Sequence, residues 1–224
     1  QFLTTIRSHD GSLLTDSHGN VTSHLVGIFS RVTNLMDNGL KLVFVFDGPA
    51  PKLKQHERER RAELKAEAKK EYEIAKDRED VVAMKKYAAR TTKLTTEMVD
   101  DAKELIRCLG LPIIQAASEG EAQAAYLVKQ NDAFACVSQD FDSLLYNAPN
   151  IIRNLSITGK RKKAGALGYV TVKPELINLD ENLKSLSISN EQLLILSILV
   201  GTDYNIGGIK GIGPQKALKL VIQY

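Results

Sequence analysis

An α/β fold, with a mostly parallel central sheet flanked by helices, is what this sequence predicts, and three observations lead there. Short β-branched runs alternate with longer segments of helical periodicity. Glycine or proline punctuates the ends of most of them. Acidic residues recur just beyond the strands, where the ligand crevice of an open α/β sheet lies. The 224 residues, 43% of them apolar, suffice for one sizeable core and are too few for several ordinary domains.

Taken in order, Thr22–Asn38 places Leu25, Val26, Ile28, Phe29, Val32, Leu35 and Met36 at helical spacing, and Gly39 ends it. Leu40–Phe46 reads as a buried strand that delivers the chain to Asp47, with Pro49 and Pro51 beyond. From Lys52 to about Gly110 the chain is charged and helical. Lys52–Lys70 holds eight Lys or Arg and four Glu: either a solvated face with i,i+4 pairs, or an arm whose basic side meets phosphates. Leu111–Gln115 is a strand, Ser118–Lys129 a helix, and Phe134–Ser138 and Ile151–Asn154 two further strands. Ser189–Val200 is a strongly apolar helix, and a glycine-rich turn leads into a last helix from Pro214. No repeats or low-complexity segments occur.

Lys plus Arg at 30 against Asp plus Glu at 27 gives a net charge of only +3, so any case for nucleic acid rests on how charge is distributed. Cys108 and Cys136 lie in apolar runs without a CxxC companion and are expected to be buried free thiols. No signal sequence and no bilayer-length apolar run is present, so an intracellular protein without a membrane segment is expected. The chain opens Gln1-Phe2-Leu3 and stops inside the periodic run Ala217–Ile222, the pattern expected of a piece of a longer protein.

The acids are Asp47 at a strand end, Glu119 and Glu121 opening a helix, Asp140 and Asp142 after a strand, and Asp203 after a helix. Each has a structural reading. Glu121 can complete a capping box with Ser118, Asp142 can cap the following helix, Asp47 can make an Asx-turn before Gly48, and Asp203 can be a loop acid after a glycine cap. Together they imply crowded carboxylates whose repulsion something must offset. Hard oxygen-seeking cations, Mg²⁺ or Mn²⁺, suit that set, and no His/Cys cluster suggests zinc. Two such ions about 4 Å apart can support in-line cleavage of a phosphodiester. Lys54 and Arg61, two helical turns apart, are the cations best placed to meet the phosphate.

Gly207–Ala217 is the second signal. Gly211 and Gly213 surround a tight turn, Pro214 suits the first helical position, and Ile209, Ile212, Ala217 and Leu218 sit at buried-looking positions. This is a helix-hairpin-helix pattern, whose amides and helix end grip a duplex backbone without reading bases.

Phe46-Asp47-Gly48, Ala117-Ser118-Glu119-Gly120-Glu121-Ala122, Ser138-Gln139-Asp140-Phe141-Asp142-Ser143 and Gly201-Thr202-Asp203-Tyr204 resemble, in order and spacing, the signature blocks of the flap endonucleases of the XPG/Rad2 structure-specific 5′ nucleases, with an archaeal flavour. The resemblance implies a PIN-like nuclease core over residues 1–110 and 111–205, a helical arch at about 52–103 and a helix-hairpin-helix at 189–224. It implies two-metal hydrolysis, with Mg²⁺ or Mn²⁺, of branched DNA bearing a 5′ flap, in replication and repair. Asp47, Glu119, Glu121, Asp140, Asp142 and Asp203 are then metal carboxylates. Lys54 and Arg61 meet the scissile phosphate, Arg7 and Arg31 the junction, and Thr22 a pocket for a one-nucleotide 3′ flap. Gly211, Gly213 and Lys216 belong to the DNA-binding hairpin, where the resemblance implies a K⁺ ion, and Gly159–Lys163 is a basic loop. The family's first strand, with a metal-binding aspartate and a stacking tyrosine, is expected before residue 1, and a tail binding a sliding clamp after Tyr224. A monomer is expected, cytoplasmic if archaeal and nuclear if eukaryotic. The alternatives are a related repair exonuclease and a catalytically inactive DNA-binding scaffold; the compact arch argues against the excision-repair branch.

Overall fold

The computed structural model describes residues 6–8, 12–91, 93–157, 159–162 and 168–223, so Lys163 of the basic loop lies outside it. The backbone divides into two compact units: the chain through Phe44 with Arg58–Ile114, and Val45–Glu57 with Gln115 onward.

In the first unit, α1 (Ser23–Asp37) buries Ser23, His24, Gly27, Ile28 and Val32 on one stripe. It packs on α4 (Thr96–Cys108), which buries Ala102 and Ile106. The Thr95 hydroxyl caps α4 by accepting from the Met98 amide at 3.3 Å. Between them run α2 (Gln55–Asp77), which begins in the second unit, and α3 (Val81–Thr91). Their buried apolar positions are alanines, Ala68, Ala75 and Ala88, as expected of charged helices with a narrow apolar stripe, and α2 buries Glu57 besides. Asp80 starts α3 by accepting from the amides of Val82 and Ala83. The segment expected to form an arch is thus two helices, with residues 96–103 committed to α4.

Strand β1 (Phe44–Phe46) pairs with β2 (Ile113–Gln115). Phe44 N donates to Pro112 O and Ala116 N to Phe46 O, so partner numbers rise together, as in parallel neighbours. In the second unit β3 (Cys136–Val137) pairs in parallel with β4 (Asn150–Arg153), and β4 pairs antiparallel with β7 (Glu175–Asn178). A separate hairpin joins β5 (Gly159–Lys162) to β6 (Tyr169–Val172). The α/β class holds and its sheets are mixed. β5, β6 and β7 were not foreseen, because their runs are short and carry no clean alternation of apolar and polar residues.

Around β3 and β4 lie α5 (Gly120–Lys129) and α6 (Asp142–Leu145), enclosing Ala125, Val128, Cys136, Ala148 and Ile151. Farther along, α7 (Leu179–Leu186), α8 (Asn190–Val200) and α9 (Pro214–Gln223) gather Leu179, Leu183, Ile188 and Val221, with Leu144 touching both clusters. Ser189 and Gln192 form the capping box of α8, a pattern overlooked in the sequence. Cys136 is buried and burial pushes its thiol up to about 11, whereas Cys108 is exposed: it is the last residue of α4, on the face turned from the core. Among the described residues no single helix is long and apolar enough to cross a membrane; α7 and α8 together pass that test only as a pair bent by 77°.

Ile151 is fully buried between α5, α6 and β3, so Ile151→Ala should cost about 2–5 kcal/mol in urea unfolding. Gly208 has φ +54°, and a Cβ there would lie 2.3 Å from Leu199 O; Gly208→Ala should therefore lower the melting midpoint more than an alanine at exposed Gly213, where nothing lies within 4 Å.

Candidate active site

All six acids singled out in the sequence, and Lys54, belong to the second unit. Asp47 leaves β1, and its Oδ1 accepts from the Gly120 amide at 2.7 Å. It therefore caps α5 from 73 residues away, where a carboxylate is favoured by the helix amino end. The Asx-turn reading of Asp47 gives way to this. A Cβ on Gly48 would lie 2.3 Å from Ala116 O, so that close approach of two backbones needs glycine, whereas one on Gly120 would lie 2.9 Å from Asp47 Oδ1, a side-chain atom that would have to shift. The Ser118–Glu121 capping box does not form. The helix starts at Gly120 with Glu119 at its N-cap, one residue later than the box requires, and Ser118 Oγ donates to Pro49 O instead. Asp142 likewise does not cap α6; it is the first helical residue, and Phe141 holds the N-cap position without a side-chain bond.

Pro51 leads into a single 3₁₀ turn, Lys52–Lys54, which directs Lys54 at the acids. Its Nζ pairs with Glu119 Oε1 and with Asp203 Oδ2, the latter at 3.4 Å, and lies 4.8 Å from the centre of the Tyr204 ring. The Lys54 side chain is only 15% exposed, so these carboxylates replace much of its water. The hydroxyls of Tyr146 and Tyr204 both donate to Glu119 Oε2. Burial alone would raise the Glu119 carboxyl, but hydrogen bonds from Lys54, Tyr146 and Tyr204 outweigh it and hold the carboxyl below its ordinary range. Burial would lower Lys54, and Glu119 and then Asp203 raise it. Both tyrosines are raised, by burial and by the Glu119 charge.

Glu121 and Asp142 behave oppositely. Glu121 accepts from Ser138 Oγ at 2.8 Å, yet burial, with Asp142 and Asp140 nearby, raises it above its usual value. Asp142 is raised by burial and by Asp203, Asp140 and Glu119, with Lys54 the opposing influence. Glu119, Glu121, Asp140, Asp142 and Asp203 form one electrostatically coupled set with Lys54 as its cation. The carboxylates of that set suit a hard divalent ion, and such an ion offsets the burial and the repulsion that raise Glu121 and Asp142. As placed, the side chains gather around Lys54: among the described residues no three acidic, His or Cys groups are close enough to share one ion.

Other predicted residues fall elsewhere. Arg61 is exposed on α2, and with Arg7, Thr22 and Arg31 it belongs to the first unit. Arg7 donates to Ala88 O at 3.1 Å, and burial lowers its guanidinium. Thr22 precedes α1 and lines a cavity of about 700 Å³ with Asp16, Asn20, Glu97 and Asp101, while Arg31 is half-buried on α1. In the second unit Pro214 opens α9 as expected, Gly211 has φ +84°, and Lys216 Nζ donates to Gly211 O at 3.1 Å across the hairpin. Ala217 is fully buried, but Ile209 is about half exposed, because its amide, bonded to Leu199 O, fixes the turn with the side chain outward. The sequence reading missed Tyr146, Tyr204, Ser138 and Arg153. Tyr204, directly after Asp203, and Ser138, two residues before Asp140, carried a local hint; Tyr146 and Arg153 carried none.

The XPG N-terminal domain model matches residues 1–68 and the XPG I-region model matches residues 110–203. Flap endonuclease 1 of Hyperthermus butylicus is 54% identical over 221 residues, covering 99% of this chain and 63% of that protein. The chain thus spans just under two thirds of the length of such curated relatives. Among solved structures, flap endonuclease-1 from Methanococcus jannaschii superposes with a TM-score of 0.73 at 43% identity, covering 100% of this chain and 67% of that one. The catalytic core of Rad2 in complex with DNA substrate gives a TM-score of 0.68 at 26% identity, covering 100% and 58%. The matched family models, the sequence identity and the agreement of fold have one consequence: this chain belongs to the XPG/Rad2 family and is similar to its flap endonucleases.

Proposed function

We propose that the protein is a divalent-metal-dependent nuclease that hydrolyses a phosphodiester of branched DNA carrying a 5′ flap. The observation that carries this reading is the Lys54-centred set of carboxylates, where family signature blocks meet in one unit. Membership of the family supports divalent-metal chemistry, and the Rad2 core described with DNA supports the substrate class.

Glu119, Glu121, Asp140, Asp142 and Asp203 are the residues that would hold two Mg²⁺ or Mn²⁺ ions, with Asp47 fixing the helix that carries the first two. The chemistry such ions would supply when held there is activation of a water and charge to balance the phosphate. The chain's own residues do the rest. Tyr146 and Tyr204 keep Glu119 oriented and ionised. Lys54, freed from its carboxylates, offers its ammonium to a phosphate oxygen, and Arg61 adds a second cation farther along α2. The amino end of α9, with Gly211, Gly213 and Lys216, takes a duplex phosphate, and a K⁺ ion at the hairpin suits the same role. Arg7, Arg31 and Thr22 are the proposed junction contacts. None of these touches a base edge, so affinity should fall with salt and ignore sequence.

The test is cleavage of an end-labelled double-flap DNA. Cutting near the branch is expected with Mg²⁺ and not with chelator. Asp142→Asn and Glu121→Gln should lower the rate by more than about 100-fold, beyond the range of outer-sphere changes, with DNA affinity kept. Cutting that persists in chelator would sink the metal reading. A folded, DNA-binding chain that never cuts would bring the inactive scaffold forward.

A second expectation follows from the raised carboxyl of Asp142. A group raised in the fold penalises the folded state above its folded value, and the penalty disappears as pH falls through it. In chelator, Asp142→Asn should thus melt higher than the parent at pH 7, and the gap should close on acidification. An Asn variant equally stable at both pH values would contradict the repulsion.

A further inference from the structure

The loop Ser138–Asp142 carries two of the acids, and little of it is held by burial: Phe141 is 49% exposed. Besides its own turn and the first turn of α6, where the Leu144 amide donates to Phe141 O at 2.9 Å, one side chain from the neighbouring strand grips it. Val137 pairs with Ile152 in the β3–β4 ladder, so the next residue of β4, Arg153, lies beside the point where the chain leaves β3. Its guanidinium has three partners. Nε donates to Gln139 O at 3.2 Å, the planar group lies 4.5 Å from the centre of the Phe141 ring, and one terminal nitrogen faces Glu175 at 3.6 Å. Glu175 is the directly opposed residue of β7, so the cross-strand register anchors the guanidinium from behind.

Gln139 and Phe141 alternate with Asp140 and Asp142, so each carboxylate adjoins a residue that Arg153 grips. The loop's near end is tied separately, because Ser138 Oγ accepts from the Asp140 amide at 3.1 Å while donating to Glu121. Arg153 therefore supplies the far restraint. Only a planar fork with five donors and an aromatic-stacking face can serve a carbonyl, a ring and a carboxylate at once; a lysine offers one point of charge.

We propose that Arg153 is a positioning residue: by clamping Gln139 and Phe141 against β4 it sets the aim of the Asp140 and Asp142 carboxylates toward a bound divalent cation. The proposal rests on the metal-dependent reading of this site. Partners behind metal ligands typically govern affinity by 10–100-fold, which sets the scale of the effect.

The experiment is a Mn²⁺ titration of the 224-residue chain followed by paramagnetic resonance of the free ion, for the parent, Arg153→Met and Arg153→Lys, with melting in chelator as the folding control. Arg153→Met is expected to weaken Mn²⁺ binding about 10-fold in a folded chain, and Arg153→Lys to fall between it and the parent. A folded Arg153→Met that binds like the parent overturns the positioning role alone. If Arg153→Met does not fold, Arg153→Lys decides: a several-fold loss supports the role, and parent-like affinity overturns it. A parent that takes up no Mn²⁺ overturns the metal reading and this inference with it.

Discussion

One ammonium group sets the terms for the site. Lys54 is largely removed from water and stands between Glu119 and Asp203, so its attraction to these carboxylates offsets both the cost of its burial and the repulsion among the acids. Remove the cation and the carboxylates lose the charge that lets them stand together. Remove the carboxylates and a little-exposed lysine loses the groups that keep it charged. Two tyrosine hydroxyls on the second oxygen of Glu119 make that residue the fixed point of the arrangement.

The backbone has to be built closely to allow this. Asp47 reaches the first amide of α5, with Gly120 leaving it room, and the chain leaves β1 beside Ala116 only because Gly48 has no side chain in the way. Gln115 reinforces the approach by donating to the carbonyls of Phe46 and Asp47. Asp47 thus acts as a structural pin from one strand end to the helix that presents Glu119 and Glu121, and the capping geometry is part of how those acids are aimed.

The acids also divide in the direction their environment moves them. Glu119 is held below its ordinary range by three donors, while Glu121 and Asp142 are raised by burial and by neighbouring carboxylates. A site that favours charge at one point and resists it at others stores electrostatic repulsion that a divalent ion relieves, which is a physical reason for stability and function to pull in opposite directions here.

Much of this was legible in the sequence. The run from Leu40 to Phe46, the glycines around Asp47 and Glu119, and Pro214 after Gly213 state local preferences that act over a few residues, and the close turns and the helix start follow from them; of the buried strand expected at Leu40–Phe46 only Phe44–Phe46 is strand, and it is half-buried. The acids were identifiable because they recur at the ends of elements. Sequence alone was silent on which donor meets which acceptor across tens of residues. Asp47 caps a helix 73 positions away, while Ser118, three residues before Glu121, does not; Tyr146 and Tyr204 converge on Glu119; Arg153 grips a loop through the register of β3, β4 and β7. Those contacts depend on how strands pair and where a helix begins to within one residue, and only packing of the whole unit fixes quantities of that kind.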